Sequence, residues 1–211
     1  MGKMLIQMLQ GSLVSIEIFA LTIVFSVPLA LLIAKGRMSK NKVISEIVNI
    51  YIMIMRGTPL ILQLLFFYFA PYYIFGLSWN RFTAVIVAFV VNYAAYFAEI
   101  YRGGIQAIDK GQYEASSVLG YSKAYSFFHI IVPQVVKNIM PAMANEIITL
   151  VKDTALAQTI GVAELFRVAE TSSSRVFSTM PIFVAGIFYF VMNGALSKWF
   201  DKIEKDLSYY D

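Results

Sequence analysis

The sequence predicts an all-α integral membrane protein with five transmembrane helices. Of its 211 residues, 59% are apolar and only 14% are charged, whereas soluble domains carry about 25% charged residues. Four runs contain no charged residue and approach or exceed the roughly 20 residues that a helix needs to cross a bilayer: 18–34, 60–80, 82–98 and 176–197. Because the runs are continuously apolar and do not alternate, they favour membrane helices over barrel strands.

The first two predicted spans lie near residues 10–35 and 46–76. The first is expected to be retained as a membrane helix, because no small-residue cleavage site follows its apolar stretch. The second contains the sequence RGTP, where Pro59 removes a backbone donor and Gly57 loosens the helix, so a kink or break is expected there. Arg56 then either reaches the inner headgroups from a tilted helix or belongs to a kinked segment that lines a pore.

Three further spans are predicted near residues 80–103, 133–160 and 177–199. The fourth is interrupted by charged residues and prolines, and it must cross only if the loops on either side of it lie on opposite sides of the membrane. After the fifth span, the tail is expected to form a short amphipathic helix at the inner surface, with Trp199 as an interfacial anchor. The whole chain, 1–211, is thus predicted to be a single transmembrane domain.

The distribution of basic residues predicts the topology. With the N-terminus outside and the C-terminus in the cytoplasm, ten basic residues lie on inner segments and four on outer segments, as the positive-inside rule requires. The inner ten are Lys35, Arg37, Lys40, Lys42, Arg102, Lys110, Lys123, Lys198, Lys202 and Lys205, and the outer four are Lys3, Arg81, Arg167 and Arg175. The net charge of +4 therefore reflects topology, and no nucleic acid partner is expected.

Polar residues share single faces of the third and fourth spans. A charged side chain deep in the bilayer costs roughly 2.5–3.5 kcal/mol on insertion scales, so several on one helix indicate a water-filled path or tight mutual pairing. The residues at helical spacing are Asn92, Tyr96, Glu99 and Gly103 on the third span, and Glu146, either Thr149 or Leu150, and Asp153 on the fourth.

The charged residues in these two spans have different expected partners. Glu99 and Arg102 are three residues apart, so a local ion pair is expected. Lys152 and Asp153 are adjacent and point to different sides of their helix, so at least one of them is expected to find a partner on another helix or to face a cavity. Asp153 either fastens helices together or lies beside a transported solute.

Signatures of an enzyme are missing from the sequence. There is no cysteine, a single histidine (His129), no HExxH pattern, no nucleophile elbow and no Walker A pattern. We therefore expect no catalytic residues, no metal site and no cofactor in this chain. If transport uses ATP, the nucleotide and its magnesium ion are expected to bind to another polypeptide.

The segment between the third and fourth spans resembles a known loop. Glu114-Ala115-Ser116, followed by Gly120 and then by Ile130-x-Val132-Pro133, resembles the EAA loop of ABC-importer permeases, EAA-x3-G-x9-I-x-L-P, with Ser116 and Val132 as departures. Five further segments resemble the subgroup that serves polar amino acids, with histidine, glutamine and arginine importers as close relatives. They are RGTPL (56–60), AEIYRGGI (98–105), KGQYEA (110–115), LVKDTAL (150–156) and IGVAEL (160–165).

The resemblance implies a type I ABC importer permease fold in a prokaryotic plasma (inner) membrane. It also implies that loop 104–132 is cytoplasmic and contains a coupling helix that docks on an ATP-binding subunit, instead of a surface helix lying on lipid. Small residues and a turn at Gly120 suit close docking, while exposed aromatic and acidic side chains suit recognition. The coupling residues are expected to be Tyr113, Glu114, Ala115, Ser116, Leu119, Gly120 and Tyr121.

The same resemblance implies several partners. Two ATP-binding subunits and a second permease subunit, in a homodimer or a similar heterodimer, are expected in the membrane complex. An extracytoplasmic amino acid-binding protein is expected to dock near Pro71–Arg81 and Gly161–Ser178, and the remaining contacts are membrane lipid and the amino acid substrate.

An amino acid in the path needs partners for its ammonium, its carboxylate and its side chain. Candidate path residues are Asn92, Tyr93, Phe97, Glu146, Asp153, Thr154, Gln158 and Glu164. The carboxylates favour a cationic or zwitterionic substrate, with arginine, lysine or histidine preferred, and the aromatic rings can stack on a planar group. Two alternatives remain at this stage: a secondary transporter coupled to protons or sodium through Asp153 or Glu146, and a membrane scaffold that transports nothing.

Overall fold

A computed structural model describes residues 2–207, and this part of the chain is helical throughout apart from short connections. Its α-helices are α1 (Gly2–Arg37), α2 (Lys42–Gly57), α3 (Leu60–Phe75), α4 (Arg81–Gln106), α5 (Lys110–Val118), α6 (Lys123–Ser126), α7 (Val132–Asp153), α8 (Leu165–Val176) and α9 (Met180–Asp206). A π-helical turn, Phe127–Ile131, joins α6 to α7, and a 3-10 segment, Thr154–Ile160, extends α7.

Four helical segments of the described chain are long and apolar enough to cross a membrane. They are α1, α4, α9 and the continuous segment Lys123–Ile160, and the bent pair α2–α3 can supply a fifth span. The predicted count of five helices therefore fits. The helical segments are longer than the predicted spans: α1 begins at Gly2, α9 continues to Asp206, and the fourth begins at Lys123, ten residues before the predicted start.

The predicted kink in the second span is confirmed, and it is a full break. The axes of α2 and α3 differ by 111°. Thr58 and Pro59 have extended backbone conformations, with φ/ψ of −122°/148° and −61°/134°, because proline disfavours the helical conformation of the residue before it. The amide nitrogen of the Gln63 side chain donates to the Met55 carbonyl at 2.9 Å, so this carbonyl near the C-terminal end of α2 has a partner inside the protein.

The helix α4 lies at the centre of the described structure. Its buried positions include Ala84, Ala88, Ala95 and Ala98, and these small residues allow neighbouring helices to approach closely. The buried face of α1 is likewise rich in Ser, Thr, Gly and Ala, as expected for helices that associate through packing in a membrane.

Two glycines are required by such close packing. A Cβ on Gly104 of α4 would overlap the Ile139 side chain of α7, and a Cβ on Gly11 of α1 would lie 3.0 Å from the Cα of Leu165 in α8. Neighbouring Gly103, by contrast, has no atom within 4 Å of its Cβ position. The paired glycines of α4 thus have different structural roles, although they are adjacent in the sequence.

We predict that Gly104→Ala lowers the stability of the folded permease by about 1–3 kcal/mol, the usual cost of overpacking. The added methyl group must push α4 and α7 apart at Ile139. Gly103→Ala is the matched control and should leave stability unchanged or slightly higher, since alanine favours helix more than glycine does. Both purified variants are heated in the same detergent, and the loss of the monodisperse peak in size-exclusion chromatography gives the midpoint of thermal unfolding. Equal midpoints for the two variants would contradict the different roles assigned to Gly103 and Gly104.

Candidate functional site

A polar cavity of about 210 Å³ lies where α4, α7 and the α2–α3 break meet. Its lining residues come from all three places: Thr58 and Leu60 from the break, Asn92, Tyr93 and Tyr96 from α4, and Glu146, Thr149 and Asp153 from α7. The predicted polar faces of the third and fourth spans therefore do meet. Four of the eight predicted path residues line this cavity, namely Asn92, Tyr93, Glu146 and Asp153.

Asp153 joins α7 to α4 and also borders the cavity. The Tyr93 hydroxyl donates a hydrogen bond to a carboxylate oxygen of Asp153 at 2.7 Å. Tyr93 is buried, whereas Asp153 and Glu146 keep part of their surface exposed. Asp153 thus links α7 to α4 and also lines the cavity. A role in helix association and a position beside a solute are therefore compatible for this residue.

Asn92 stabilises the broken helix at the edge of the cavity. Its side-chain amide nitrogen donates to the Gln63 side-chain oxygen at 2.9 Å and to the Met55 carbonyl at 3.1 Å. Both donor hydrogens of Asn92 are therefore engaged within the protein. Gln63 was missed by sequence reasoning, although a single amide in the otherwise apolar run LILQLLFF is a signal that could have identified it.

A charged cluster lies next to the break. The expected ion pair between Glu99 and Arg102 is confirmed, with the Arg102 guanidinium donating to both carboxylate oxygens at 2.9 and 2.7 Å. Arg56 approaches the same carboxylate at 3.8 Å, and its guanidinium carbon lies 5.4 Å from the centre of the Tyr96 ring. Because Tyr96 also lines the cavity, the kinked segment with Arg56 borders the candidate path.

The other four predicted path residues do not line this cavity. Phe97 is fully buried in the hydrophobic core, so its ring is not available to stack on a solute. Thr154 is buried and donates to the Val151 carbonyl at 2.7 Å. Gln158 is half-buried, and its side-chain oxygen has no hydrogen-bond partner among residues 2–207.

Glu164 forms a separate buried cluster beyond the 3-10 segment. Its carboxylate accepts hydrogen bonds from the backbone N–H groups of Phe166 and Arg167, both at 2.7 Å, and so caps the N-terminus of α8. It also accepts from the Tyr189 hydroxyl at 3.0 Å and from Ser15 at 3.5 Å. Burial raises the pKa of the Glu164 carboxyl, although these hydrogen bonds act in the opposite direction. Glu164 therefore connects α1, α8 and α9 rather than contributing to the cavity.

The predicted coupling loop forms a short helix followed by a tight turn. α5 is capped by the Asp109 side chain, and Gly120 has φ of +76°, the left-handed conformation that glycine tolerates best. Of the predicted coupling residues, Ser116 is buried and the others are exposed. Val118 and Phe128, which sequence reasoning did not select, are 88% and 65% exposed, so the apolar surface extends beyond the motif.

A stack of rings continues this surface along the helix that follows Gly120. The rings of Tyr121 and Tyr125 lie 4.8 Å apart, and those of Tyr125 and His129 lie 4.2 Å apart and nearly parallel. His129 is exposed. His129 is therefore the exposed end of this ring stack.

A second polar cavity, of about 390 Å³, lies at the opposite end of the helices. It is lined by residues of α1, of α8 and of the short connection between the 3-10 segment and α8. They include Gln7, Gln10, Arg167 and Arg175. The guanidinium of Arg81 lies next to it, against Gly161. Three of the four basic residues predicted to face outward are thus collected in one region.

Comparison with known proteins places these features in a family. A family model described as the binding-protein-dependent transport system inner membrane component matches residues 26–209. A candidate glutamine transport system permease protein of Rickettsia felis is 36% identical over 94% of this chain and 91% of its own length. The arginine transport system permease protein of Bacillus subtilis is 35% identical over 87% of this chain and 84% of its own length.

Solved structures agree with the family match. The structure of an amino acid ABC transporter with histidines superposes with a TM-score of 0.90 at 37% identity, covering 98% of this chain and 96% of that chain. A methionine ABC transporter in an inward-facing conformation has a TM-score of 0.79 at 18% identity, covering 99% of both chains, and so supports the fold. The chain therefore belongs to the family of inner membrane components of binding-protein-dependent transport systems, and its fold is that of a type I ABC importer permease.

Proposed function

We propose that this protein is the transmembrane subunit of an ATP-driven importer for polar amino acids, including basic ones. The observation that carries the proposal is the polar cavity with two carboxylates, built at a broken membrane helix in a chain of this permease family. The relatives named for glutamine and arginine transport support the same substrate class. The family also supports a location in the inner membrane, and we place the N-terminus outside because the basic residues then concentrate on the cytoplasmic side.

The chemistry of the cavity fits a cationic or zwitterionic amino acid. Asp153 and Glu146 offer carboxylates to an ammonium or guanidinium group, and Thr149 offers a neutral hydroxyl. The Tyr96 ring can stack on a planar group. Among amino acids, arginine, lysine and histidine make the best use of two carboxylates.

The mechanism in this proposal is alternating access driven by partner subunits. Two ATP-binding subunits hold ATP and magnesium, and their closure moves the coupling helix α5 and the turn at Gly120. A second permease subunit, identical or similar, completes the path. Switching between the outward-open and inward-open conformations requires that each be favoured by several kcal/mol in turn. The contact between the coupling loop and the ATP-binding subunit must therefore be rigid.

The rival transport mechanism is secondary transport coupled through Asp153 or Glu146. It needs no ATP-binding partner and leaves the exposed apolar surface of the coupling loop without a role. Family membership supports the ATP-driven mechanism instead. Uptake into vesicles that depends on internal ATP, and persists when the membrane potential and ion gradients are dissipated, would separate the two.

The region around Arg81, Arg167 and Arg175, on the predicted outer side, is the proposed docking surface for the amino acid-binding protein. Arg81 and Arg175 are exposed, and Arg167 forms a surface ion pair with Glu170 at 3.2 Å. Such positive surfaces favour partners with acidic residues, because complementary charge steers association. The region falls within the two segments expected to receive this partner.

For the coupling loop, we predict that Glu114→Lys abolishes recovery of the ATP-binding subunit with the tagged permease. The exposed carboxylate would be replaced by a cation at the centre of the docking surface. Glu204→Lys, an exposed change near the end of α9, is the matched control and should retain the partner. Purification from native membranes in mild detergent, with mass spectrometry of the partners, gives the result, and equal recovery by both variants would count against this contact.

For the cavity, we predict that Asp153→Asn lowers ATP-driven uptake at least about 10-fold while the ATP-binding subunit still co-purifies. The substitution removes a charge from the path but keeps a group that can bond to Tyr93. Tyr93→Phe removes the same helix contact without removing the charge and should affect uptake less. Uptake of labelled arginine into proteoliposomes tests this order, and the reverse order would indicate a purely structural role for Asp153.

For the outer surface, we predict that Arg167→Glu combined with Arg175→Glu weakens stimulation of ATP hydrolysis by the binding protein about 10-fold or more. Basal hydrolysis should not change, because both residues lie far from the coupling loop. A double Lys202→Glu and Lys205→Glu change at the inner end of α9 is the charge-matched control. If the control and the outer variant reduce stimulation equally, the docking surface lies elsewhere.

A further inference from the structure

The helix α7 has three faces with different surroundings. One face, which includes Val151, packs against α1 and α9 and is buried. A second face carries the cavity residues Glu146, Thr149 and Asp153. The third face, next to the cavity, carries Asn138, Asn145 and Lys152, which follow each other at seven-residue intervals and are exposed.

Counted from the outer end of its helix, Lys152 falls near the middle of a hydrocarbon core. Gly161 and Arg81 are in contact and mark the outer end of both the 3-10 segment and α4. Measured from this end, Lys152 is about 16 Å deep along the helix, given 2.0 Å per residue in a 3-10 helix and 1.5 Å in an α-helix. Tyr93 is about 18 Å deep along α4 by the same measure, and its hydrogen bond to Asp153 shows that the two depths agree. A hydrocarbon core is about 30 Å thick.

This position is unfavourable for a lysine that faces lipid. Among residues 2–207, no hydrogen bond or salt bridge involves the side chains of Asn138, Asn145 or Lys152. A lysine at mid-depth cannot reach the headgroups, and an unpaired cation there is costly. The two asparagines extend the polar stripe toward the inner side. Water, a polar solute or another subunit must therefore cover this face in the assembled transporter.

We infer that Lys152 binds the α-carboxylate of the amino acid in the translocation path. The inference rests on the proposed function, because it takes the adjoining cavity as the site of the ammonium and side-chain groups. Adjacent helix residues diverge by about 100°, so Asp153 lines the cavity while Lys152 presents the opposite charge on the neighbouring exposed face. This is the charge arrangement that a zwitterion needs, and Asn145 can add a hydrogen bond on the same face.

The test is a thermodynamic cycle in which the charge of the lysine and the charge of the ligand carboxylate are removed separately and then together. The complex of permease and ATP-binding subunits is purified without nucleotide, and calorimetry measures binding of L-arginine, L-glutamine and L-histidine and of their α-carboxamides. For wild type, amidation should weaken binding about 10–100-fold, the usual effect of losing a charge-assisted hydrogen bond. Lys152→Met should bind the amino acid equally weakly and show no further loss on amidation. Lys152→Arg should retain most of the discrimination.

The control is Lys198→Met, a change of an exposed lysine near the inner end of α9, which should leave the binding cycle as in wild type. The following outcomes would overturn the inference. Equal weakening of acid and amide by Lys152→Met would show a structural role, and an unchanged affinity would show that Lys152 faces elsewhere. If the complex takes up amino acids with ATP but wild type binds none of the probes, the carboxylate site is refuted while the proposed function stands. If uptake proves independent of ATP, the proposed function fails and the binding cycle still decides the role of Lys152.

Discussion

The arrangement of the candidate path depends on one constraint: inside a bilayer, backbone groups released from a helix must find partners within the protein. The break at Thr58–Pro59 releases carbonyls of α2 into the membrane. Two side-chain amides, from Gln63 and Asn92, meet this demand by converging on the Met55 carbonyl and bonding to each other. The break is thereby tied to α4, and the space beside it becomes a cavity instead of a defect.

The charged residues follow from the same constraint. Two carboxylates are held by neighbours that also position them: Arg102 and Arg56 surround Glu99, and Tyr93 bonds to Asp153. Lys152 is the contrast, since it is exposed at mid-depth without such a partner in the described chain. The position of this exposed cation beside the cavity is the basis for assigning it to a molecule outside the subunit.

The sequence predicted the elements whose signals are local. Apolar runs located the membrane helices, Pro59 located the break, and the spacing of Glu99 and Arg102 predicted their ion pair. It did not predict contacts that depend on how helices pack. Phe97 follows Tyr93 by about one turn and both are buried in the core, but only Tyr93 also lines the cavity. Glu164 has the charge of a path residue, but its place before α8 makes it a helix cap.

The geometry also links the two ends of the proposed mechanism. The turn at Gly120 is followed almost directly by Lys123–Ile160, a single continuous helical segment that carries the exposed ring stack near its start and both Lys152 and Asp153 near its outer part. Its π-helical turn comes just before Pro133, which has no N–H for the carbonyl four residues earlier, so the helix widens there without ending. A displacement of the coupling loop would therefore reach the mid-membrane charges through one connected element. Lys152 and Asp153 are adjacent on this element, so such a movement would carry both charges together, and the hydrogen bond from Tyr93 would pass it on to α4.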